Sequence, residues 1–178
     1  MPGGFLDPET VIREFGISPG MAVADLGCGA GHIGILAARQ VGENGKVTAV
    51  DIMEDKLDSI RVRAKASGLN NIETVRANLE VLGSSGLADQ SQDMAILANI
   101  LFQSNKKSNI IAEAARVLNP GGTLIIVEWK KGAGGFGPPD DLRTDDASMR
   151  QLAQGAGLTL KRSFSAGQFH YGLIFSKS

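Results

Sequence analysis

The sequence predicts an α/β protein built on a doubly wound sheet, mostly parallel and finished by an antiparallel C-terminal hairpin. Three observations carry that expectation. Short apolar, β-branched runs alternate with amphipathic helix-like segments along most of the chain, the pattern of a parallel sheet covered on both faces. Glycine supplies 23 of 178 residues, well above an average near ~7%, and falls where those runs must turn. A length of 178 residues fits one domain, expected to span 1–178.

Asp7 and Pro8 open a short amphipathic helix carrying Val11, Ile12 and Phe15, with Asp7 as N-cap and Pro8 at the first helical position; Gly16 ends it. Residues 21–25 read as a buried first strand, 31–41 as a helix rich in Ile, Leu and Ala that stops at Gly42, and 46–51 as the second strand. A charged helix over 54–67 is expected to turn Leu57, Ile60 and Val62 inward and to end at Gly68, before a third strand at 72–77. Residues 81–92 show no convincing period, so the next crossover reads as a loop with at most one helical turn. A fourth strand at 94–99 follows, with Asp93 a turn residue before it, then a helix within 104–118, a turn at Asn119-Pro120-Gly121-Gly122 and a fifth strand at 123–128. Residues 130–143 hold four glycines and two prolines and read as a loop or lid. The last helix is expected over 145–154, capped by Thr144, and 158–165 pairs with 168–176 as a hairpin across Ala166 and Gly167.

Composition narrows the function classes. Eighteen basic against nineteen acidic side chains give a net charge of −1, so no global positive field gathers nucleic acid or an anionic membrane, and no DNA partner is expected. The N-terminal third is acidic and the remainder mildly basic, too weak an asymmetry to name a partner. Mean hydropathy is zero, and no run approaches the ~18 apolar residues of a membrane helix. Residues 1–6 lack the basic start and apolar stretch of a signal peptide. The single cysteine, Cys28, excludes an internal disulfide and a multi-cysteine zinc site, so no metal is expected and the reducing cytoplasm is the natural compartment.

The most informative stretch is Asp25-Leu26-Gly27-Cys28-Gly29-Ala30-Gly31-His32, a strand end turning through three glycines into a helix. Such a turn brings backbone N–H groups to the carboxyl edge of the sheet, where open α/β sheets bind ligands. From Gly29 it also satisfies G-x-G-x-x-G through Gly31 and Gly34, weak evidence alone for a dinucleotide. Asp25 discriminates. A carboxylate at the mouth of a phosphate cradle repels a pyrophosphate but suits a ligand with an ammonium and a sulfonium, and S-adenosylmethionine has both. Asp51, at the next strand end, is placed for both ribose hydroxyls of either nucleotide cofactor.

The segments 23–31, 47–51 and 116–124, in order and at the right separations, closely resemble the three signature segments of class I S-adenosylmethionine-dependent methyltransferases. Residues 137–143 and 169–175 are similar to the small-molecule branch that includes enzymes of the ubiquinone and menaquinone biosynthesis type. The resemblance implies a Rossmann-like sheet of seven strands in the order 3-2-1-4-5-7-6. It also implies that Gly27, Gly29 and Gly31 admit the methionine part of the cofactor, with Cys28 packed beneath it and Asp25 on its amine. Asp51 then binds the ribose, Ile52 and Met53 flank the adenine, and Asn78 with the Leu79 backbone meets its polar edge, Asn78 standing where such families often have Asp. Ala98 and Asn99 sit beside the methionine end. On the acceptor side the expected substrate contacts are Phe102, Trp129 and Arg143, with core packing an alternative for the two aromatics. His32 reads as solvated.

Methyl transfer is an in-line displacement, so the protein supplies chiefly proximity and alignment, and a base only where the nucleophile must lose a proton. His170 is the best candidate for that base; its alternative is a histidine held beneath the 130–143 loop. Ala98-Asn99-Ile100-Leu101 stands where exocyclic-amine methyltransferases carry Asn-Pro-Pro-Tyr, and a lone cysteine argues against arsenite methylation and cysteine-dependent cytosine methylation. The expected acceptor is therefore a small molecule. A methyltransferase on RNA or protein, and a domain that binds the cofactor without turnover, stay open; a nicotinamide oxidoreductase is disfavoured by Asp25 and by the absence of a Tyr-x-x-x-Lys pair. With no long N-terminal cap or inserted substrate domain, either the acceptor site is shallow or a partner, such as the second subunit of a homodimer, covers it.

Overall fold

The computed structural model describes residues 6–178; residues 1–5, most of the start read above for a signal peptide, lie outside the described residues. Seven strands form one sheet: β1 (Ala22–Leu26), β2 (Lys46–Asp51), β3 (Ile72–Arg76), β4 (Gln92–Ala98), β5 (Leu118–Trp129), β6 (Leu158–Ser165) and β7 (His170–Lys177). Their order is β3-β2-β1-β4-β5-β7-β6, as expected. The pairings from β3 through β5 are parallel, and β7 runs antiparallel to both β5 and β6. Among the described residues five α-helices accompany it: α1 (Pro8–Val11), α2 (His32–Val41), α3 (Glu54–Ala66), α4 (Lys107–Val117) and α5 (Asp146–Gly155).

The period of two along a strand sorts side chains into two cores. Val23 of β1, Met94 and Ile96 of β4, and Ile125 and Val127 of β5 pack with α2 and with Val11, Ile12 and Phe15. Their neighbours Ala24 and Leu26, Ala95 and Leu97, and Leu124 and Ile126 pack with α4 and α5 on the opposite face. The same alternation carries to the strand ends. Asp25 follows Val23 onto the α2 face, Glu128 follows Ile126 onto the α4 face, and His170 pairs with Trp129 across β5 and β7.

Four local expectations are corrected. Val62 is 69% exposed, because Leu57, Ile60 and Ala64 follow the helical period on α3 and Val62 falls outside it. The α5 cap is Asp145, whose side chain accepts from the Ser148 N–H, while the Thr144 carbonyl accepts from the Tyr171 hydroxyl. Asp93 lies within β4 at a register shift and accepts from the Ala22 N–H and the Asn119 side chain. Residues 119–122 turn, as read, but inside β5: Gln92 pairs with Leu118 and Met94 with Thr123, so the four bulge out of the ladder, the place a strand tolerates proline.

Candidate functional site

The carboxyl ends of β1, β2, β3 and β4 frame a cavity of about 410 Å³, and a second of about 240 Å³ adjoins it on the α1 and α2 side. The two share Gly27, Cys28, Ala98 and Asn99 as a common wall.

After β1 the chain is tied to β2: the Gly27 and Cys28 N–H groups both donate to the Val50 carbonyl, at 2.7 and 3.0 Å. Gly27, Gly29 and Gly31 all hold positive φ, which favours glycine. Their open sides differ. A Cβ on Gly27 would fall 2.1 Å from the end of Ile100 and one on Gly31 2.3 Å from Ile60, whereas one on Gly29 meets nothing within 4 Å. Gly27 and Gly31 therefore let neighbours pack, and Gly29 faces open space in the larger cavity. Of the three glycines expected to admit the ligand, the structure puts Gly27 and Gly29 on a cavity wall and gives Gly31 to packing against α3.

Asp51 joins the glycine turn to the entry of α3, its two carboxylate oxygens accepting from Gly29 N–H at 2.9 Å and Met53 N–H at 3.0 Å. Beside it, Ile52 and Met53 are exposed although apolar and line the larger cavity with Asn78 and Leu79. Asn78 closes a local turn by accepting from Glu80 N–H at 3.0 Å.

The smaller cavity holds the electrostatic peculiarity. Asp25 lines it, is only 2% exposed, and its Oδ2 has no hydrogen-bond partner among the described residues. Burial, and after it the charge of Asp51, raises this carboxyl to about 7, against a smaller pull from the Gly34 backbone. Asn99 lines both cavities in a left-handed conformation and buries a second unpartnered acceptor, its Oδ1. Asp25 Oδ2, beside Gly34 of α2, and Asn99 Oδ1 are two buried acceptors without donors on residues that line one cavity, a pairing that suits a ligand rich in donors or positively charged. Burial, followed by the charges of Asp25 and Asp51, pushes the Cys28 thiol far up, so it packs rather than reacts.

On the acceptor side the outcome is mixed. Trp129 lines the smaller cavity, as does the exposed His32. Phe102 lines neither cavity; Gln103 and Ser104, its successors on the same short turn, line the larger one. Arg143 is a correction: it is buried, and its guanidinium donates to the carbonyls of Lys130, Pro138 and Phe136 at 2.9, 2.9 and 2.5 Å. These bonds tie residues 130–143 together, with the guanidinium over the Trp129 ring, and Arg143 lines neither cavity. His170 is also corrected. It is 1% exposed, lines neither cavity, and packs tilted against Trp129 at 4.0 Å between centroids. Burial, aided by Lys130 and Arg143, lowers it to about 4, so it stays neutral beneath the loop. Lys56, Glu80, Ile100, Gln103 and Ser104 line the larger cavity without having been expected there. Only the last three had a signal, their position after the fourth strand.

Comparison with known proteins bears on the family and the fold. The family model described as a methyltransferase domain matches residues 17–162. The ubiquinone/menaquinone biosynthesis C-methyltransferase of Shewanella pealeana is 36% identical over 121 residues, 67% of this chain and 47% of that protein. The arsenite methyltransferase of Halobacterium salinarum is 32% identical over 141 residues, 79% of this chain and 34% of that one. The chain thus spans about half or less of these relatives' length. Among solved structures, a SAM-dependent methyltransferase from Aquifex aeolicus superposes with a TM-score of 0.87 at 28% identity, covering 97% of this chain and 90% of the other.

Proposed function

The chain belongs to the class I S-adenosylmethionine-dependent methyltransferases, and from that premise we propose that it binds S-adenosylmethionine across the two cavities and transfers its methyl group to a small-molecule acceptor. The observation that carries the reading is the unpartnered Asp25 Oδ2 on a residue lining the smaller cavity, which adjoins, across Gly27 and Cys28, the larger cavity that Gly29 leaves open. The residues fit that cofactor. Asp25 and Asn99 would take the ammonium, Gly29 leaves room for the methionine chain, and Asp51 would accept from the ribose hydroxyls. Ile52 and Met53 would cover the adenine faces, with Asn78 and the Leu79 backbone at its edge.

Bound there, the sulfonium offers a methyl group already activated for in-line displacement. The chain's own contribution is alignment and exclusion of water: Leu6, Pro8, Ile33 and Trp129 add apolar surface to the smaller cavity beside Asp25, His32 and Asn99. That lining supports a small, uncharged acceptor. The likeness to an arsenite methyltransferase does not extend to its substrate, because the one cysteine here is buried and its thiol is held protonated. His170 gives no support to a protein base, so the reading rests on acceptors that need none or lose their proton to water. No described helix is long and apolar enough to cross a membrane, and the lone reduced cysteine supports a cytoplasmic setting.

The test is untargeted: incubate the protein with methyl-labelled S-adenosylmethionine and cell extract, then separate small molecules, RNA and protein. Label in the small-molecule fraction is expected. Label confined to RNA or protein overturns the acceptor class.

A further inference from the structure

Glu128 sits near the end of β5, 2% exposed, on the face of the sheet that otherwise carries Leu124 and Ile126. A carboxylate is a poor filler for that position unless it makes hydrogen bonds. Its Oε1 accepts from the Leu101 N–H at 2.7 Å, and its Oε2 from the Trp129 N–H at 3.4 Å. The Ile100 and Phe102 amides also bear on it, so the carboxylate lies at the start of the short helical turn Leu101–Gln103. That turn has no side-chain cap of its own, since Ile100 at the capping position carries no oxygen. The missing cap comes from another strand.

The capped turn carries one wall of the larger cavity. Ile100 fills the space in front of Gly27, and Gln103 and Ser104 line the cavity. The turn is braced at its other points by Gln103, which donates to the Asn99 carbonyl at 3.1 Å, and by Ser104, which donates to Glu80 at 2.7 Å. Asn99 itself donates through its N–H to the Val127 carbonyl beside Glu128, at 2.9 Å.

We infer that Glu128 is a positioning residue for the cofactor: its carboxylate caps the turn after β4 and so sets the wall, from Asn99 to Ser104, against which the nucleoside part is bound. The inference rests on the reading of that cavity as the cofactor site. Glu128 touches no ligand in this account; it acts through Ile100, Gln103 and Ser104.

The experiment titrates S-adenosylhomocysteine calorimetrically into the wild type, Glu128→Ala, Glu128→Gln and Phe175→Leu, a buried change on β7 away from the cavity, and records each thermal midpoint. Glu128→Ala is expected to weaken binding about tenfold or more, through loss of the acceptor that caps the turn. Glu128→Gln keeps an acceptor within reach of the Leu101 N–H and is expected to recover affinity to within about threefold of wild type. Phe175→Leu is expected to lower the midpoint while leaving affinity unchanged. Wild-type affinity in Glu128→Ala, or an equal loss in Phe175→Leu, overturns the inference. Should Glu128→Ala fail to fold, Glu128→Met against Glu128→Gln decides it: similar shape with and without an acceptor, equal affinities being the overturning result. Wild-type protein that does not bind S-adenosylhomocysteine would instead sink the cofactor reading itself.

Discussion

Two carboxylates in this fold are almost equally buried, Glu113 at 0% and Asp25 at 2% exposure, and they have opposite surroundings. Glu113, on α4, accepts from Gly83 N–H at 2.7 Å, from the Ser85 hydroxyl at 2.5 Å and from two Arg116 nitrogens at 2.9 and 2.8 Å. Burial pushes its carboxyl up, but Arg116, Ser85 and Gly83 together bring it to about 2. Asp25 keeps an oxygen with no partner and is raised to about 7. The difference teaches what each is for. Glu113 is a finished network that pins the loop over 81–91 to α4, while Asp25 keeps an unpartnered oxygen beside a cavity, which is why it is the residue proposed to meet the ligand.

The largest effect that would break this contrast falls on the glycine turn. Gly29→Val is expected to abolish S-adenosylhomocysteine binding, a loss beyond about a hundredfold, because the side chain enters the space that Gly29 leaves open and φ near +50° resists it. Gly31→Val should instead act on the fold, by collision with Ile60. Binding that survives in folded Gly29→Val would show that the ligand does not approach the turn. Next comes Glu113→Ala, expected to lower unfolding free energy by about 3 kcal/mol in urea titration, with cofactor affinity of the folded protein unchanged. An affinity loss there would erase the division between the two carboxylates. Asp51→Ala should weaken cofactor binding about tenfold to a hundredfold by removing charge-assisted acceptors at the lip, measured by calorimetry; unaltered affinity would take Asp51 out of the site. His170→Ala is the smallest: once an acceptor is known, turnover should change by less than about threefold while the thermal midpoint falls, since the ring packs on Trp129. A hundredfold loss of turnover would restore it as a base.

The division between fold and site also marks what was legible in the sequence. The strands and both cores follow from apolar runs punctuated by glycine, while their order was implied by the family resemblance; Asp25 and Asp51 are readable because a strand end fixes where the residues closing it stand. The 57, 60, 64 spacing on α3 already excluded Val62, whereas Asp145 and Thr144 are adjacent capping residues whose choice waits on the backbone. Arg143 was not legible as a loop clamp, because the carbonyls that take its donors gather only when residues 130–143 fold back. Glu128 gave no sign of capping a turn 27 residues earlier in the chain. Contacts made by chain return are hidden from any local pattern.

The most direct measurement is calorimetry of S-adenosylhomocysteine binding between pH 5.5 and 8, in wild type and in Asp25→Asn, with buffers of different ionisation heat to count protons. With the Asp25 carboxyl raised to about 7, the ligand's ammonium draws its proton off. Wild-type affinity should therefore rise with pH, by up to about tenfold per unit below 7, and level off above it, releasing close to one proton on the acid side. Asp25→Asn should bind about tenfold or more weakly at pH 8, with little dependence on pH and no proton release linked to this site. An Asp25→Asn protein that binds as tightly as wild type, with the same slope and the same proton count, would contradict the claim that Asp25 is held open for the ligand.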